Sequence, residues 1–183
     1  MKIFPIRQFG SPILRQRAKN VPLEFLKTTP FKQLVQRMIY TMRKTNAVGI
    51  AAPQIGKAFN LAVMETRPTP TRPSLKRKGP IVIVNPKVLM FSKTKKIGWE
   101  GCLSLENVRG NVPRSREIIV RYFNEKGERA VKKVTGLWAR IFQHEIDHLG
   151  GITYTDRMKN MKTLMAFSEF KKRVLKKKNR PLK

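Results

Sequence analysis

Histidine, cysteine and acid are the scarce residues of this 183-residue chain, which has two His, one Cys and eleven Asp+Glu. A single cysteine rules out an internal disulfide, so the fold relies on its own core and suits a reducing, cytosol-like compartment. No apolar run approaches ~18 residues, which argues against a membrane-spanning helix. The opening "MKIFPIRQFG" has neither the apolar stretch nor the small-residue cleavage site of a secretory signal. No internal repeat or second hydrophobic unit is visible, so residues 1–183 are expected to form one domain, long enough to bury a core. No sequence feature bears on oligomeric state.

Against the scarcity of acid stand forty Lys+Arg, giving a formal charge of +29 and a sequence pI near 11.2. Such an excess concentrates polyanions near the surface and speeds encounters with them, but implies no particular chemistry.

The scarce histidines are not scattered. Both lie in "FQHEIDHLGG" (142–151), four residues apart, with a glutamate directly after the first. On a helix that spacing projects both imidazoles from one face, the H-E-x-x-H arrangement of mononuclear metal hydrolases. A catalytic site of this kind needs a third protein ligand and an open position for water. Tyr154 occupies the place where one protease pattern has a third histidine. Two candidates remain: Glu169, among lysines near the chain end, and Cys102 in "WEGCLS", where a neighbouring glycine permits close backbone approach. Cys102 would complete a soft, asymmetric Cys-His-His set.

The apolar periodicity predicts a helix over 29–46, opened by Thr29-Pro30 and carrying a stripe through Phe31, Leu34, Val35, Met38, Ile39 and Met42. "FNLAVM", "PIVIVNP" and "KVLMF" read as short strands, and "REIIVRYFNEKGERAVKKV" as a hairpin turning at Glu125-Lys126-Gly127. The prolines and charges of 66–80 mark a solvated surface loop. "TGLWARIFQHEIDHL" is the second helix, ended by Gly150 and Gly151, and a last helix is expected over roughly 158–178. The pattern is that of an α+β fold, with small mixed or antiparallel sheets around a central metal-binding helix and one helix near each end.

Three segments in order, "GIAAPQIG" (49–56), "EGCLS" (100–104) and "QHEIDH" (143–148), resemble the motifs of the peptide deformylases. The similarity covers roughly residues 5–160, including "VPR" at 112–114. It implies an enzyme that removes the formyl group from the N-terminal formylmethionine of nascent proteins, in a bacterial cytoplasm or an organelle. By position, the resemblance implies Cys102, His144 and His148 as metal ligands and Glu145 as general acid/base. It implies Gln54 and the Leu103 N–H as oxyanion donors, and Val48, Gly49, Arg109, Leu137 and Ile141 as the substrate groove. Ferrous iron is the implied native metal, with zinc, nickel or cobalt able to replace it. The C-terminal helix, with its basic end over 171–183, is implied to dock on the RNA surface of the ribosome. One position departs from the family: Ala47 stands where glycine opens the first motif, which would strain or crowd a site needing positive φ or close peptide approach. Two other readings are kept. One is a zinc endopeptidase using Glu169 with Cys102 incidental, the other a catalytically inactive ribosome- or RNA-binding protein with a structural metal.

Overall fold

The computed structural model describes residues 1–175. Helix α1 runs Thr29–Lys44. Its cap is Thr28, one residue earlier than the sequence suggested, whose hydroxyl accepts from the Phe31 N–H at 3.3 Å. The helix is left through Asn46, which takes the left-handed conformation (φ 56°). Phe31, Val35, Met38 and Met42 form its buried stripe and pack on strands β1 (Gly49–Ala51), β2 (Leu61–Thr66) and β3 (Lys78–Phe91).

The two strands read from "PIVIVNP" and "KVLMF" are one. β3 continues through Asn85, at φ 50°, where a bulge kinks it without ending it. Strands β6 (Glu117–Phe123) and β7 (Arg129–Thr135) form the expected hairpin and complete a five-stranded antiparallel sheet ordered β1-β2-β3-β6-β7. Alternation along β6 explains its seat, since Ile118, Val120 and Tyr122 point into the core.

A second, three-stranded sheet holds β4 (Lys95–Cys102), β5 (Leu105–Ser115) and β8 (Met165–Ala166), in the order β4-β5-β8. Helix α2 (Gly136–Leu149) buries Ala139, Ile141, Phe142 and Leu149 against the large sheet and also contacts β5 of the small one. The helix with both histidines therefore lies where the two sheets meet. No helix among the described residues is long and apolar enough to cross a membrane.

The last helix differs from expectation. Residues 158–166 are not helical: Asn160 caps a short 3₁₀ turn, and Met165–Ala166 pair with Val108 and Arg109 of β5. Helix α3 begins only at Phe167, spans Phe167–Phe170 and continues as a π-type turn through Leu175. Strand pairing overrides helix propensity here, and Met161, inside the expected helix, is exposed. Phe170 is buried and meets Trp99 edge-on at 5.3 Å. Of the expected basic end, residues 176–183 lie outside the described residues.

Candidate metal centre and active-site cavity

Cys102, the last residue of β4, meets the two histidines of α2. One ligand atom from each of Cys102, His144 and His148 lies within 4.8 Å of the others, a group that could hold a metal ion. Cys102 Sγ is 3.2 Å from His148 Nε2. Burial pushes the thiol up, but the two imidazoles outweigh it and hold Cys102 well below its usual range. Burial likewise pushes His144 down, yet Cys102 and Glu100 together hold it well above. The donor set, one soft sulfur with two nitrogens, fits zinc or a ferrous-type ion.

Glu100 was not singled out from the sequence, yet it organises the centre. His144 Nδ1–H donates to its Oε2 at 2.9 Å, leaving Nε2 to face the sulfur. Arg114 donates to both oxygens of the same carboxylate at 3.0 Å and also reaches Asp147, while Arg140 adds a contact at 2.6 Å. Burial alone would raise the Glu100 pKa, but His144 and Arg114 reverse this and keep the group ionised. The signal was present, since Glu100 begins "EGCLS" and Arg114 ends "VPR". What the sequence does not show is that β4 and β5 pair with Glu100 beside Gly110, aiming both side chains at α2.

Glu145 follows His144 on the helix and is 4% exposed. Burial raises its pKa to about 7, and among the described residues one carboxylate oxygen has no hydrogen-bond partner. Gly49 of β1 provides its space, because a Cβ there would lie 2.2 Å from Glu145 Oε1. Gln54, in a 3₁₀ turn after β1, is fixed through Oε1, which accepts the Ala51 N–H at 2.9 Å. Its Nε2 then donates to Cys102 Sγ and Ser104 Oγ, each at 3.2 Å.

Gln54, Cys102, Leu103, His144 and Glu145 line one cavity, and Val48, Gly49, Arg109, Leu137 and Ile141 line it as well. Every site residue implied by the family resemblance is thus brought together, with His148 at the sulfur. Glu169 is not. Its carboxylate pairs with Lys172 and Arg173, so among the described residues the ligand set of the endopeptidase reading is not assembled. Ala47 does not strain its position. The positive φ falls on Asn46, and the Ala47 carbonyl accepts from Arg67 at 2.7 Å.

The chain is similar to known proteins over most of its length. A family model described as polypeptide deformylase matches residues 3–164. Peptide deformylase 2 of a Nostoc species is 38% identical over 175 residues, covering 96% of this chain and 97% of its own. The peptide deformylase of Roseiflexus castenholzii is 43% identical over 145 residues, 75% of this chain and 78% of that one. A Met-Ala-Ser-bound crystal structure of class I type b peptide deformylase from Acinetobacter baumannii matches with a TM-score of 0.83 at 37% identity, covering 86% of this chain and 99% of that chain. The chain belongs to the polypeptide deformylase family.

Proposed function

We propose that the protein hydrolyses the formyl group from the N-terminal formylmethionine of nascent chains, releasing formate and a free amino terminus. The observation that carries this reading is the buried Cys102-His144-His148 cluster with the Glu145 carboxylate beside it in an open cavity. Those three residues would hold one divalent ion, ferrous iron in the native enzyme with zinc, nickel or cobalt as substitutes. Once bound, the ion supplies a Lewis acid and brings the pKa of its water towards ~7.

The protein's own groups do the rest. Glu145 takes a proton from the attacking water and returns it to the departing amine, a role suited by a pKa near neutrality. Gln54 Nε2 and the Leu103 N–H donate to the oxygen that becomes negative on the formyl carbon, and loss of one such donor typically costs ~3–4 kcal/mol of barrier. Glu100 holds His144 in one tautomer and one orientation. Val48, Leu137 and Ile141 give the methionine side chain an apolar seat, and Arg109 contacts the peptide backbone.

The test separates three readings in one experiment. Metal-loaded protein is incubated with a formyl-Met peptide and with an unblocked protein, and formate and internal cleavage are assayed separately. Formate alone is the expected result. Internal cleavage would favour an endopeptidase, and neither product would favour an inactive binding protein. We place the enzyme in the bacterial cytoplasm and its basic C-terminal segment on ribosomal RNA. Deleting residues 171–183 should weaken salt-sensitive ribosome binding and leave turnover of a free formyl-Met peptide nearly unchanged.

A further inference from the structure

The segment between β2 and β3, expected as a solvated excursion, is bound back onto the site. The Thr66 hydroxyl donates to the Lys76 carbonyl at 2.9 Å and closes the neck of the loop. Arg67 is buried and donates to the carbonyls of Ala47, Arg43 and Met42, capping the end of α1. Thr69 and Arg72 then exchange main-chain hydrogen bonds at 3.1 and 2.9 Å, turning the tip tightly over Pro70-Thr71. Thr69, Thr71 and Arg72 end as part of the wall of the catalytic cavity.

Arg72 brings a guanidinium to this wall that has no hydrogen bond or ion pair among the described residues. Burial lowers its pKa, and Arg140 lowers it further. Glu100, the carboxylate that acts on it, is already taken by Arg114, Arg140 and His144. Arg109, also on the wall, lies over the Phe167 ring at 4.4 Å and, among the described residues, donates only to the carbonyl of Val108. Two partly desolvated cations, with the nearby carboxylate saturated, favour an incoming anion. The apolar residues suit methionine, so the polar, cationic part of the cavity is left for the second residue of the substrate.

We propose that Arg72, delivered by the anchored loop, reads the side chain of the residue after formylmethionine and favours an acidic one, with Arg109 as a second positive pole. This rests on the deformylase reading of the site. It is tested with metal-loaded full-length protein on formyl-Met-Xaa-Ser peptides in which Xaa is Glu, Gln or Lys. kcat/KM should fall in the order Glu, Gln, Lys, with a Glu-to-Gln ratio of roughly fivefold at low ionic strength that shrinks with salt. Arg72→Gln should bring that ratio to about one, and Arg72→Glu should reverse it in favour of Lys. Each ratio compares two substrates on one protein, so partial loss of folded enzyme cancels. Equal rates on the Glu and Gln peptides, or an unchanged ratio in Arg72→Gln, would overturn the proposal while leaving the deformylase reading intact. Absence of formate from all three peptides would overturn the deformylase reading itself.

Discussion

Gly49→Ala is the most pointed perturbation of this site, because one methyl group acts on one catalytic atom. Gly49 is not among the glycines with left-handed backbone, so alanine meets no conformational penalty of its own. The new Cβ, however, would stand 2.2 Å from Glu145 Oε1, 2.7 Å from its Cδ and 2.9 Å from its Cγ. Ordinary contact begins near 3.4 Å, so the carboxylate has to retreat by about 1 Å. Glu145 is 4% exposed on a packed helix and has little room in which to do so. A displacement of that size costs about 100-fold in kcat/KM. Overpacking costs about 1–3 kcal/mol of stability. Metal content should be unchanged, since the three atoms nearest the methyl all belong to Glu145. Formate release from a formyl-Met peptide, elemental analysis and thermal unfolding on the same preparation measure all three. Combining Gly49→Ala with Glu145→Asp should cost less than the product of the single effects, because both act through one carboxylate. A Gly49→Ala protein within threefold of the parent rate, fully loaded with metal, would refute the reasoning.

Glu145→Gln keeps the shape but removes the base, so metal should be retained while the rate falls roughly 10²–10⁴-fold; a normal rate would assign proton transfer to another group. Cys102→Ala removes one of three ligands and should leave substoichiometric metal by elemental analysis, whereas full occupancy would dissolve the triad. Glu100→Gln should lower metal affinity about 10–100-fold in chelator competition, because His144 loses the carboxylate that fixes its ring. Acid stability should depend on Glu65, which is buried and receives two hydrogen bonds from Arg43 at 2.8 Å. Those bonds hold its pKa below the ordinary value. Its stabilising contribution is therefore complete above the unfolded value of about 4.3 and is lost as pH falls through the folded one. Urea unfolding between pH 5 and 3 should show a shallower pH dependence in Glu65→Gln than in the parent.

The chain's own pattern determined α1, α2, the β6–β7 hairpin and the histidine pair of the site, because those features are local. The spacing of His144 and His148 places two imidazoles on one helical face in any context where the helix forms. The stripe of α1 and the alternation of β6 equally predict their buried sides without knowledge of the partner. Where a partner decides, the sequence was silent or misleading. Residues 158–166 carry apolar positions at helical spacing, yet β5 offers an unpaired edge and takes Met165–Ala166 as a strand. The bulge at Asn85 joins two apparent strands because both ends find neighbours in one sheet. Cys102 could be named as a ligand by resemblance, but the pairing of β4 with β5 beside α2 is what delivers its sulfur to His148, and Glu100 to His144. The proline-rich loop shows the limit most clearly. Its composition correctly marks an irregular segment, but composition carries no information about where such a segment comes to rest. Tertiary anchors decide it: three main-chain carbonyls at the end of α1 converge on the Arg67 guanidinium, and Arg72, five residues on, lines the cavity.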